Sequence, residues 1–157
     1  MRNDSRTQLK LADDDGCFAC GKSNPIGLKL DFQQEGDEYV TYFTPGKEHQ
    51  GYVGVVHGGL VSTVLDEVMV RYAYACGYEA VTAEICVRYK RSAATGKVLR
   101  VAGRIDAKRG KLINCSARAA DDEGVVASAT ARLVRVTNDD KGTRTRREPG
   151  SCSPGRE

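Results

Sequence analysis

The longest apolar run in the chain begins at Gly58 and lasts to Gly77, and within it Leu60, Val61, Val64, Leu65, Val68, Met69 and Tyr72 recur at helical spacing. That spacing predicts one long helix with a broad apolar stripe, stopped by Gly77. After the helix the period changes to two. Val81, Ala83, Ile85, Val87 and Tyr89 alternate with Thr82, Glu84, Cys86, Arg88 and Lys90, which predicts a strand with one apolar face. Three more strands are predicted at about 98–107, 112–120 and 125–136, separated by the turn chemistry of Thr95-Gly96, Arg109-Gly110 and residues 121–124. Ahead of the helix, Leu28, Leu30 and Phe32 alternate with polar residues, and 39–43 form a second extended segment beyond the polar stretch 33–37, as in a hairpin. The order, two strands, one helix and four strands, predicts an α+β fold in which a curved antiparallel sheet of about six strands wraps around one central helix. Ala117, Ala119, Ala127, Ala129 and Ala131 would let that sheet approach the helix closely.

Length fits this plan. The chain has 157 residues and 40% apolar content, enough for one core, and it divides into a tail at 1–16, a domain at 17–136 and a tail from 137 to 157. A formal net charge of +3 with 29% charged residues of both signs is small for a nucleic-acid binder, and the run Lys141, Arg144, Arg146 and Arg147 falls in the unpatterned tail, so no nucleic-acid partner is expected. Neither a leader-like apolar segment near the N-terminus nor a run of about 18 apolar residues is present, so no membrane partner and a soluble, cytoplasmic protein are expected. Of the six cysteines, Cys76, Cys86 and Cys115 fall within patterned segments, and free thiols are expected. Cys17 and Cys20 form a CxxC half-site, but no second CxxC or Cys-His pair completes four ligands, so no metal site is expected.

Two features of the helix carry chemistry. Gly58 and Gly59 open it, and backbone amides in the first turn have no intrahelical acceptor, so they point at whatever lies beyond the helix end. A carbonyl oxygen could be polarised there as in an oxyanion hole, although a glycine pair also suits a plain helix start. Asp66 lies two turns further in, on the side shared with Gly59, Ser62, Thr63 and Val70 rather than on the Leu60, Val64, Leu65, Val68 stripe. An unpaired carboxylate among apolar residues costs several kcal/mol, so Asp66 is solvated, paired, or functional as a nucleophile or general base. Glu67 points about 100° away around the helix, so one of the two acids is expected to face a cleft. Ser62 and Thr63 either contact substrate or bond their own backbone. Gly58 and Asp66 are eight residues apart, about 12 Å along a helix, too far for one carbonyl to touch both. A second copy with its helix antiparallel would bring Asp66 of one chain near Gly58 of the other, which predicts a homodimer with two equivalent sites.

The stretch His57-Gly58-Gly59 with Asp66 nine residues after the histidine resembles the signature of hotdog-fold acyl-CoA thioesterases related to the phenylacetate-pathway and 4-hydroxybenzoyl-CoA enzymes. Cys17-Phe18-Ala19-Cys20-Gly21, Asn24-Pro25, Gly27-Leu28 and His49-Gln50-Gly51-Tyr52 extend the resemblance, which covers about 17–136. It implies a hotdog dimer, often paired into a tetramer, that hydrolyses acyl-CoA without metal or organic cofactor. By that resemblance Asp66 is the catalytic carboxylate, Gly58 the oxyanion donor and His57 a residue that orients the loop or lies by the thioester. Relatives place a Gln or Asn six residues before the histidine; here Gly51 holds that position and Gln50 lies one earlier. An acyl-CoA ligand implies basic groups at the rim, and Arg88, Lys90 and Arg91 are the candidates, although Ser92 follows where relatives often carry a proline. Gly59, Ser62 and Thr63 are candidate substrate contacts. The alternative function is a hotdog protein that binds or senses acyl-CoA or a related ligand without turnover; a hydratase is disfavoured by the spacing of His57 and Asp66.

Overall fold

A computed structural model describes residues 11–136. The tails at 1–10 and 137–157, with the basic run at 141–147, lie outside the described residues. Strands β1 (Gln33–Glu35) and β2 (Glu38–Phe43) come first, followed by a short hairpin of β3 (Gln50–Tyr52) and β4 (Val55–Val56). Helix α1 (Gly58–Ala75) leads into β5 (Ala80–Tyr89), β6 (Leu99–Arg109), β7 (Leu112–Asp121) and β8 (Gly124–Arg135). One antiparallel sheet in the order β1-β2-β6-β7-β8-β5 curves around α1, as the pattern of positions predicts.

The helix buries Val61, Val64, Leu65, Val68, Met69, Tyr72 and Ala73, whereas Leu60 sits half-buried at the margin of the stripe. Small residues on the facing strands permit this approach. Ala119 and Ala127 have no exposed surface, and a Cβ built on Gly103 would lie 3.0 Å from Val68 Cγ1. Alanine and glycine on the sheet therefore set the distance at which α1 packs.

Three departures from the sequence reading have physical causes. The first hairpin is tighter and later than predicted, because Gly36 at φ 61° and Asp37 form a two-residue turn that pairs Glu35 with Glu38. Its first strand is the polar edge 33–35, where no apolar period exists to be read. Leu28 and Leu30 instead donate their N–H groups to Phe18 and Ala19, pinning the N-terminal loop to the core. The second departure is β5, where the register against β8 shifts between Thr82 and Glu84 and leaves Ala83 as an extra residue. This bulge breaks the alternation assumed from sequence, so Thr82, paired with the buried Leu133, takes the inner face in place of Val81 and Ala83. Cysteines are the third. Cys17, Cys20, Cys86 and Cys115 are free, but Cys76, half-buried at the helix C-cap rather than packed in the core, is disulfide-bonded and corrects the expectation for that thiol.

Residues 11–16, read from sequence as tail, are engaged with the domain. Asp15 accepts from the Ser23 hydroxyl at 2.7 Å and from the Lys22 amide at 2.9 Å, and these bonds hold its carboxyl below the usual range. Among the described residues no helix is long and apolar enough to cross a membrane.

Candidate active site

The start of α1 is built by His57, the N-cap residue, whose Nδ1 accepts from the Gly59 amide at 2.9 Å. This side-chain cap satisfies one orphan donor of the first turn. It also removes Gly59 as an available amide and leaves Gly58 as the glycine donor at the helix entrance. A close neighbour frames that donor. Tyr89, at the end of β5, donates its hydroxyl to the Gly58 carbonyl at 2.7 Å, and its ring lies 3.4 Å from where a Gly58 Cβ would stand. Ser62 is hydrogen-bonded to the same Tyr89 oxygen, so Ser62, Tyr89 and Gly58 form one connected group. Thr63 instead returns its hydroxyl to the Gly59 carbonyl at 2.9 Å, the backbone bond common for threonine inside helices.

Asp66 is half-buried, and its Oδ1 accepts from the Thr82 hydroxyl at 2.7 Å. The β5 bulge is what turns Thr82 toward the helix. Both residues line a cleft of about 620 Å³ between α1, the start of β5 and the N-terminal loop, shared with Glu67, Arg71, Cys17 and Cys20. The spacing of Asp66 and Glu67 around the helix predicts that one of the two faces a cleft. In fact both do, because the cleft extends far enough around α1 to meet Asp66 on its strand side and Glu67 on its loop side. Glu67 accepts a hydrogen bond from the Cys17 thiol at 3.7 Å. Burial and then the Glu67 carboxylate push the Cys20 thiol well above its ordinary range.

The remaining candidates divide. Gln50 is half-buried in β3 and accepts from the Gly54 amide at 3.2 Å, so its side chain closes the β3–β4 turn. Arg88 is exposed and pairs in register with Ser128, on the opposite sheet face from the inward Val87 and Tyr89. Lys90 is also exposed. Arg91 is ion-paired with Asp121 and lies 3.7 Å from Glu123, tying the end of β5 to the β7–β8 turn. The Arg91 guanidinium holds the Asp121 carboxyl below the usual range. The structure therefore brings together His57, Gly58, Gly59 and Ser62 at the helix entrance, and Asp66 in the cleft. Arg88, Lys90 and Arg91 do not line that cleft. Thr82 and Tyr89 were missed as partners: Tyr89 was legible as a hydroxyl on the inner face of β5, whereas Thr82 required the bulge.

The family model of the thioesterase superfamily matches residues 53–128. Acyl-coenzyme A thioesterase THEM4 of Xenopus laevis is 30% identical over 100 residues, 62% of this chain and 45% of that protein. The Bos taurus protein of the same name is 24% identical over 123 residues, 76% of this chain and 51% of that protein. The chain thus spans about half the length of the curated relatives it matches. Among solved structures, a thioesterase superfamily protein superposes with TM-score 0.72 at 23% identity over 76% of this chain and 60% of that one. A Streptococcus mutans protein bound to acetyl CoA superposes with TM-score 0.63 at 21% identity, covering 68% of this chain and 87% of that one.

Proposed function

We propose that the chain, which has the hotdog fold and matches the thioesterase superfamily model over residues 53–128, belongs to that superfamily and hydrolyses an acyl-CoA thioester to a free acid and CoA. Asp66 is the reacting carboxylate and the Gly58 amide the oxyanion donor. The observation that carries the reading is the hydrogen bond from Thr82 to Asp66 in the cleft wall. A carboxylate two turns inside an apolar helix is costly, and here a hydroxyl holds one of its oxygens while the cleft leaves room for a reacting group. Asp66 then either attacks the acyl carbon itself or draws a proton from water that attacks it. On the first route the C–S bond breaks as Asp66 forms an acyl anhydride that water then hydrolyses to the free acid; on the second the water oxygen forms the new C–O bond as the C–S bond breaks; on both the CoA sulfur leaves and takes up a proton. The THEM4 relatives, named as acyl-coenzyme A thioesterases, and the acetyl CoA bound to the Streptococcus mutans protein support this substrate class. Arg88 and Lys90, both exposed, are the basic groups assigned to the CoA phosphates.

The same reading makes the protein a homodimer. Along the helix Gly58 and Asp66 are separated by about 12 Å, and the residues lining the Asp66 cleft include neither His57 nor Gly58. One copy supplies half a site, and an antiparallel second copy supplies the other half. Surface suited to such pairing exists: β5 is a sheet edge, and Tyr52 and Val53 at the β3–β4 tip are 83% and 93% exposed. Light scattering on the eluting protein reads out a dimer, or a pair of dimers, and a monomer active at assay concentration refutes the shared site.

The activity test is thiol release from short, medium, long and aromatic acyl-CoAs by wild type and Asp66→Asn. The variant should lose about 100- to 10,000-fold in kcat, the usual contribution of a positioned acid-base group. Equal turnover by the two proteins removes Asp66 from the chemistry. Binding without release across the panel makes the protein a ligand sensor or carrier.

A further inference from the structure

The N-terminal loop contributes a second cluster to the cleft wall, distinct in chemistry from Asp66. Cys17 Sγ, Cys20 Sγ and a carboxylate oxygen of Glu67 all lie within 4.8 Å of one another, and all three residues are half-buried. Sequence supplied only the CxxC half-site; the third group comes from the helix, about 50 residues further along the chain.

The loop is built to hold its two thiols still. The Gly21 amide closes a turn onto the Cys17 carbonyl at 2.8 Å, and a Cβ on Gly21 would fall 2.4 to 2.6 Å from the backbone of Asp15 and Cys17. Only glycine fits this turn. Between the cysteines, Ala19 is buried in the core, and the carbonyls of Phe18 and Ala19 are bonded by the amides of Leu28 and Leu30. A solvated pair of surface cysteines needs none of this anchoring. Ligand spacing also fits. A tetrahedral zinc ion with sulfur ligands at about 2.3 Å and oxygen at about 2.0 to 2.2 Å separates its ligand atoms by roughly 3.5 to 3.8 Å. The Cys17 to Glu67 distance is 3.7 Å, and the longest separation in the cluster is no more than 4.8 Å, which small side-chain rotations close. Charge completes the case. Two thiolates and a carboxylate carry three negative charges, of which a divalent cation removes two, while Arg71, in the same cleft and 3.7 Å from Asp13, adds positive charge beside the cluster.

We propose that Cys17, Cys20 and Glu67 form a three-ligand site for a zinc-class divalent cation that fastens the N-terminal loop to α1 beside Asp66, with solvent as the fourth ligand on the cleft side. Thiolate with carboxylate favours zinc over calcium or magnesium, which take oxygen alone. The ion here ties segments distant in sequence, and the proposal stands independently of the hydrolytic reading, because metal content is measured without turnover.

The full-length reduced protein, stripped with chelator, is titrated with zinc and with cobalt, and metal per chain is counted by plasma mass spectrometry after dialysis. One ion per chain is expected, with cobalt giving visible bands of tetrahedral coordination and near-ultraviolet thiolate charge transfer. Glu67→Gln should weaken binding at least tenfold, Cys17→Ser and Cys20→Ser should abolish the charge-transfer signal, and Cys86→Ser, at an exposed position on β5, should change nothing. Circular dichroism of each variant separates lost ligation from lost folding, and Glu67→Gln keeps the side-chain volume if a cysteine variant unfolds. No stoichiometric metal, binding indifferent to Glu67→Gln, or a Cys17–Cys20 disulfide that forms in preference to metal uptake each overturns the proposal.

Discussion

Thr82→Val removes one hydroxyl from the cleft and little else. Valine matches threonine in shape and suits a strand, so the fold should survive with a stability loss of about 1.5 kcal/mol. What disappears is the 2.7 Å bond to Asp66 Oδ1. A hydrogen bond to a charged group contributes about 1.5 to 3 kcal/mol, and because both partners are only half-buried, water recovers part of it, which favours the lower end. If that bond holds the carboxylate in its reactive orientation, about 1.4 kcal/mol converts to roughly a tenfold fall in kcat. KM should change little, since Thr82 acts through Asp66. Steady-state thiol release from the best acyl-CoA of the panel measures both constants, with Thr82→Ser as the control that keeps the hydroxyl. Turnover by the valine variant within twofold of wild type, in a folded protein, refutes the positioning role. A fall in the serine variant as large as that in the valine variant refutes it too, since the methyl group would then be the part that matters.

Two further outcomes follow from packing and burial. Gly103→Ala forces a Cβ against Val68 Cγ1 and the Val68 backbone, none of which can retreat from a fully buried helix face, so it should cost about 1 to 3 kcal/mol and lower Tm by about 3 to 9 °C. Adding Val68→Ala should restore part of that loss, and strict additivity in the double variant counts against the contact. Timed alkylation of the native protein with peptide mass spectrometry should modify exposed Cys86 first and leave Cys115 protected, because Cys115 is 1% exposed and burial pushes its thiol up to about 12. Equal rates at the two residues contradict the placement of Cys115 in the core.

The fold was legible wherever apolar periodicity was strong. The helical stripe from Val61 to Tyr72 and the alternation in β6, β7 and β8 carried their own signal, since each buries one face against the same core. Legibility failed where structure rests on backbone chemistry. β1 is a polar edge strand, and β3 and β4 are too short to show a period, so neither pattern announces them. The site divides in the same way. Gly58 and Asp66 stood out because glycines at a helix start and an acid inside an apolar run conflict with their surroundings, and such conflicts mark sites where something other than folding is served.

Their partners conflict with nothing. Thr82 is an ordinary strand residue, and only the extra residue at Ala83 turns it toward Asp66. Glu67 reads as the exposed neighbour of a more interesting acid until the loop carrying Cys17 and Cys20 folds over it. Both depend on contacts between segments well separated in sequence, which no local pattern encodes. A strand bulge and a glycine turn thus decide how the two adjacent acids of α1 are used. The bulge gives Asp66 a hydroxyl that fixes its carboxylate, and the Gly21 turn gives Glu67 two thiols that direct it toward the loop. Thr82→Val should then disarm Asp66 while leaving the Cys17, Cys20 and Glu67 cluster intact, which separates the two acids by experiment.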